Sequence, residues 1–99
     1  VNENFEAELM AMFDAFVDSS LSAVSGAEAF VWVILLCDTD TTGIACTDTA
    51  DIARRSRLSV RTVRRAVASL EAKGLVRVAQ RGRSGPHAYR VRSNIDKGK

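Results

Sequence analysis

Three arginines, Arg61, Arg64 and Arg65, stand in the stretch SVRTVRRAVASLEAKG, Ser59 to Gly74, whose one acid is Glu71 near its far end. A guanidinium is a planar fork of donors. It grips a phosphate, or the O6/N7 edge of guanine, through two hydrogen bonds, so arginines a helical turn apart suit nucleic-acid reading. Other chemistry-bearing residues are sparse. His87 stands alone, with no Ser/His/Asp set, paired acids or phosphate-cradling glycine loop, and no enzyme is expected. Cys37 and Cys46 lie nine positions apart, which fits neither a redox CxxC nor a zinc site; they read as reduced, mostly buried thiols. The run DTDTTG, with Asp38, Asp40, Thr42 and Gly43, opens like a calcium loop. Thr49 stands where the bidentate Glu is needed, so a polar turn is expected, with no metal and no cofactor.

What must position the arginines is a helix over Val60–Lys73. Ser59 is its N-cap and Gly74 its stop. At about 100° per residue, Val60, Val63, Ala66, Val67 and Leu70 share one face, and Arg61, Arg65, Ala68, Ser69 and Ala72 the opposite one, with Arg64 flanking. A shorter helix precedes it, about Thr49 to Arg55, capped by Asp48 and buried through Ile52 and Ala53; Ser56, Arg57 and Leu58 make the turn. LVRVA and HAYRVR alternate as strands around the turn-rich QRGRSGP. Val76 and Val78 pair inward with Tyr89 and Val91, and Arg77, Arg90 and Arg92 point outward. Arg81 and Arg83 flank Gly82 at the hairpin tip, with His87 close by.

The first half is built differently. SGAE, Ser25 to Glu28, is a capping box, and the helix it opens, about Gly26 to Cys37, is apolar on all sides. Such a helix needs cover on every side. The candidate is an amphipathic N-terminal helix with Phe5, Leu9, Phe13, Phe16, Val17 and Leu21 at three- and four-residue steps, capped by Asn2 or Asn4. GIACT reads as a short strand. Phe5, Leu9, Phe13 and Phe16 packing with Phe30 and Trp32 would make or support a homodimer interface, since one small chain struggles to bury so much apolar surface. The apolar run Ala29 to Cys37 is too short to span a bilayer, and the acidic N-terminal stretch lacks a basic leader region. The expectation is a cytoplasmic, nucleoid-associated protein with no membrane partner.

Charge divides the chain. Residues 1–53 hold ten acids and no Lys or Arg, while residues 54–99 hold fourteen Lys and Arg against two acids, so the halves carry −10 and +12. A polyanion is the expected partner of the second half, with the acidic half turned away from it.

Short helix, tight turn, capped basic helix and basic-tipped hairpin make a mainly α fold with a small β-hairpin wing. That is a winged helix-turn-helix (α+β), with an extra N-terminal amphipathic helix. The stretch TADIARRSRLSVRTVRRAVASLEAKGLVRV resembles the core of bacterial winged-helix DNA-binding domains of the MarR and GntR type. It is especially similar to the helix-turn-helix domains of phage and plasmid replication proteins. The matching positions are Ile52, Ala53, Leu58, Ser59, Thr62, Val63, Val67, Leu70, Gly74 and Leu75. The domain reading is residues 1–24 for dimerisation or core cover, 25–92 for the winged helix-turn-helix and 93–99 for a disordered tail. The expected site on double-stranded DNA comprises Ser59, Arg61, Thr62, Arg64, Arg65 and Ser69 in the major groove. Arg81, Arg83 and His87, in or beside the Gln80–Pro86 wing, would lie on backbone or minor groove. The commonest role for this architecture is transcriptional repression. A plasmid or phage replication or partition factor is the alternative implied by the resemblance. An interaction module that recruits a protein partner, through the basic face or the N-terminal helix, is the reading of another class.

Overall fold

The computed structural model describes residues 3–81 and 86–95. Helix α1 spans Glu3–Ser19, followed by a single 3-10 turn, Leu21–Ala23. Asn4, one of the two caps expected for α1, lies inside it; Asn2 lies outside the described residues. Helix α2, Gly26–Cys37, opens with the capping box. Ser25 Oγ accepts the Glu28 N–H at 3.1 Å and Glu28 Oε1 accepts the Ser25 N–H at 3.0 Å. A short strand β1, Ala45–Thr47, leads into α3, Thr49–Ser56, and then α4, Val60–Ala72. Strands β2, Val76–Gln80, and β3, His87–Val91, complete the fold.

Local chemistry sets these boundaries. Asp48 accepts the Ala50 N–H at the start of α3, and Ser59 accepts the Thr62 N–H at the start of α4. Between them Arg57 ends α3 in the left-handed conformation at φ 61°, which turns the chain sharply into α4. Gly74 stops the second helix at φ 81°, where a residue without Cβ is at ease, and the Leu75 N–H returns to the Leu70 carbonyl at 2.9 Å.

The sheet is antiparallel in the order β1-β3-β2. Val76 faces Val91 and Val78 faces Tyr89, as the alternation requires, with a bulge between Val78 and Gln80. GIACT contributes β1, a third strand beside the expected hairpin, with Ala45 opposite Tyr89 and Thr47 opposite His87. One core joins all layers: Phe16 of α1, Val31, Trp32 and Leu35 of α2, Ile52 of α3, Val63 and Leu70 of α4, and Leu75, Val76, Tyr89 and Val91 of the sheet. The molecule is a winged helix, mainly helical with a small antiparallel sheet.

Three expectations are corrected. Phe16 and Trp32, expected to make or support an interface between copies, stack on each other inside one chain, ring centroids 3.9 Å apart and planes 9° from parallel, and neither has meaningful exposure. The neighbouring Leu9 packs against the same core, whereas Phe13 and Phe30 remain at the surface; Phe5 is half-buried on α1. Cys37 and Cys46 are free and exposed rather than buried: Cys37 is the last residue of α2, and Cys46 is the outward-facing middle residue of β1, between buried Ala45 and Thr47. The chain beyond β3 is not loose from residue 93 onward. Ser20, fully buried, donates to the Ser93 carbonyl at 2.8 Å, Ser19 donates to Asn94 at 2.6 Å, and Ile95 packs on the core. Residues 96–99 lie outside the described part.

The DTDTTG run serves the fold. The Asp40 carboxylate accepts the Thr42 N–H at 2.8 Å and the Ile44 N–H at 3.2 Å, closing a turn that passes through Gly43 at φ 85°. A Cβ on Gly43 would stand 2.8 Å from an Arg90 guanidinium nitrogen. Asp38 faces Arg55, which donates to both of its oxygens at 2.7 and 2.9 Å, and Thr47 donates at 2.8 Å. Both carboxylates are thus engaged by internal donors, and among the described residues no cluster of His, Cys, Asp and Glu could hold a metal ion.

The Arg55 fork, aided by Thr47, holds the Asp38 carboxyl below its ordinary range despite partial burial. A carboxyl depressed in the folded state contributes stability above its unfolded value, about pH 4, and loses it as the pH falls through the lower folded value. Asp38→Asn is therefore expected to cost ~1–2 kcal/mol at neutral pH and to flatten the fall in melting temperature below about pH 4. Thermal unfolding of both proteins across that range checks it; parallel acid limbs would remove Asp38 from the account.

Candidate nucleic-acid interface

Helix α4 buries Val63, Ala66 and Leu70 and turns Arg61, Arg64, Arg65, Ala68 and Ala72 to solvent. Val60, expected on the buried face, is 36% exposed; it lies about 60° around the helix from Val63, at the edge of the buried arc. None of the three arginines has an acid partner among the described residues. The other cations nearby differ. Arg54 pairs with Asp51, Arg55 with Asp38 and Asp51, Lys73 with Glu28 at 2.8 Å and Arg81 with Glu71 at 3.4 Å. Three acids of the first half, with Glu71, therefore neutralise cations at the margins and leave the centre of α4 charged. Arg57, exposed in the turn before α4, joins this unneutralised set; its place was hidden in the sequence because a turn residue has no helical phase.

Two shallow grooves flank α4. Toward the hairpin, Arg64, Ala68 and Glu71 face Arg81, His87 and Tyr89. Toward the start of α2, Thr62, Arg65 and Ser69 face Ser25 and Glu28. The sequence-predicted residues are thus divided. Ser69, expected on the outer face, is turned to α2, where it hydrogen-bonds the Glu28 carboxylate. Burial alone would raise that carboxyl, but the bonds from Lys73, Ser69 and the Ser25 backbone outweigh it and hold it below its ordinary value. The Ser59 hydroxyl is engaged in the cap and donates to Thr62 Oγ1 at 2.9 Å. Arg61 keeps the central outward position, and Arg65, one turn on, is exposed on the side toward α2.

On the hairpin, Arg81 is exposed at the end of β2 and leans on Glu71; Arg83 lies outside the described residues. His87 meets Tyr89 edge-on at 5.9 Å. Burial raises the Tyr89 phenol, with the Thr49 hydrogen bond opposing, so it stays neutral and ties the sheet to the start of α3. The face is therefore not free of acid. Glu71 sits seven residues after Arg64, on the same side of the helix, a phase visible in the sequence.

A family model described as a helix-turn-helix domain matches residues 25–76. The chain belongs to this family. The match runs from the Ser25 cap through α2, β1, α3 and α4 to the first residue of β2, so α1 and the hairpin beyond Val76 lie outside it. No curated protein and no solved structure matches the chain. The helix-turn-helix domain supports binding to double-stranded DNA. No helix among the described residues is long and apolar enough to cross a membrane.

Proposed function

We propose that this helix-turn-helix protein binds double-stranded DNA sequence-specifically and regulates transcription by occupying its site. In this reading α4 lies in the major groove and the β2–β3 hairpin rests on the adjoining backbone or minor groove. The observation that carries it is the set of arginines on α4 that no acid of the described residues pairs with, beside two alanines on the same face. A helix fits the major groove, Ala68 and Ala72 allow close approach, and Arg61 and Arg65 reach base edges or phosphates from one line. The N-terminal end of α4 adds its own partial positive charge, next to Arg57. Repression by occupancy needs only tight binding at a chosen sequence.

Fluorescence anisotropy with a random-sequence duplex at two salt concentrations tests the reading. Dissociation constants of about 10⁻⁴–10⁻⁶ M that weaken steeply with salt are expected, because neutralised phosphates release counterions. No binding at low salt would sink it and turn the basic face toward an acidic protein. The same assay addresses Glu71. Glu71→Gln removes a carboxylate from the DNA-facing groove and frees Arg81, so random-sequence affinity should rise severalfold and the salt slope steepen by about one contact. An unchanged slope would mean that Arg81 stays off the backbone.

A further inference from the structure

The molecule has a second exposed surface, and it is apolar. Met10, Phe13, Val17 and Leu21 run along the outer side of α1 and its following turn, and Phe30 stands on α2, 61% exposed; Met10 is 59% exposed. Between the helices this surface is grooved. One end is lined by Met10, Phe13, Val33 and Leu36, the other by Phe13, Val17, Phe30 and Val33. Neither groove draws a residue from α3, α4 or the hairpin. A contiguous apolar strip of this kind on one side of a small protein marks a binding surface.

The rim decides what fits. Glu6 lines the groove; Asp14 and Asp18, exposed and a helical turn apart, line neither end of it, but helical phase places them about 40° and 80° beyond Met10, on the outer side of α1 that a docked helix would meet. No Lys or Arg occurs before Arg54, so neither α1 nor α2 carries a cation to offset them. A second copy docked face to face would bring the same acids against these, and like charges across an interface are costly. We infer that the α1–α2 groove receives an amphipathic helix of a partner protein. That helix has apolar anchors at i, i+3/i+4 and i+7, and lysines or arginines along the edge that meets Glu6, Asp14 and Asp18. This is the helix-in-groove mode, with charge setting the partner's identity and orientation. Since α4 is not part of the groove, the partner and DNA bind at separate faces, and the inference stands independently of the DNA reading.

The probes are two fluorescent synthetic helices that share a leucine face, one with lysines along its flanks and its twin with glutamates there. Binding to the intact chain is followed by anisotropy, beside sedimentation of the chain alone. Binding is scored as the component that Phe30→Ser abolishes, which leaves out any capture of the acidic twin by the arginines of α4. Met10→Ser serves as a second apolar variant. The lysine helix is expected to bind at least about tenfold tighter than its twin, and Asp14→Lys with Asp18→Lys to reverse that order. Neither helix binding, or an order unmoved by the charge exchange, overturns the proposal. So does a chain that sediments as a dimer and becomes monomeric on Phe30→Ser, which would make a second copy the occupant. Where the chain alone is monomeric, Phe30→Ser should leave random-duplex affinity unchanged, so failure here is separable from failure of the DNA reading.

Discussion

Replacing Arg61 and Arg65 together by alanine should lower affinity for the chain's specific duplex about thirtyfold or more, each guanidinium contributing ~1–3 kcal/mol. The two lie one turn apart on the exposed side of α4, and neither is in a salt bridge with an acid of the described residues. Their donors are available to DNA without breaking an ion pair. If they read guanine edges, each single variant loses discrimination at one base pair while random-sequence affinity falls less. If they grip phosphates, specific and random affinities fall in step and the salt slope flattens by about one contact per arginine. Arg64→Ala and Arg81→Ala should have smaller effects. Arg64 faces the hairpin groove beside Glu71, and Arg81 must first leave that carboxylate. Competition titrations with specific and random duplexes measure all four. A double variant with native affinity would take α4 off the DNA.

The elements that carry these arginines were legible because their signals are local. Ser25 with Glu28, Asp48, Ser59 and Gly74 each act within four residues of where they stand, so capping chemistry marked α2, α3 and α4 nearly to the residue. Alternation likewise gave the Val76–Val91 and Val78–Tyr89 pairs. What stayed hidden depends on distant chain. Helical phase shows which side of α1 is apolar but not whose surface covers it; the structure brings Phe16 onto the chain's own Trp32 and leaves Phe13 and Phe30 outside. Ser69 and Glu71 illustrate the same limit within the site. Both lie near the edges of the outward arc of α4, and only the positions of Glu28 and Arg81 turn one inward and tie the other to the hairpin. Cys37 and Cys46 read as buried from residue type alone, yet each occupies an outward position.

Trp32→Ala is expected to cost ~3–5 kcal/mol, the largest stability loss of any substitution considered, in a domain whose whole stability is on the order of 5–15 kcal/mol. The residue does two separable things. Its ring fills the core and stacks on Phe16, fixing α1 to α2, and its indole N–H donates to the Arg92 carbonyl at 2.9 Å. The Arg92 N–H in turn donates to the Leu75 carbonyl at 2.8 Å, so the indole holds the end of β3 where it meets the start of β2. Trp32→Phe keeps one aromatic ring in the core, removes the donor and leaves a carbonyl with one partner fewer at ~1–3 kcal/mol, and adds the smaller cost of the space the second ring filled. Urea unfolding of both variants separates packing from hydrogen bonding, and duplex binding by the folded Phe variant separates both from recognition. Its affinity should match the parent's, because Trp32 is fully buried and lines neither groove beside α4. A Phe variant as unstable as the Ala variant would shift the weight from the stacked rings to the indole hydrogen bond, and with it the anchoring of the hairpin from the core to a single donor.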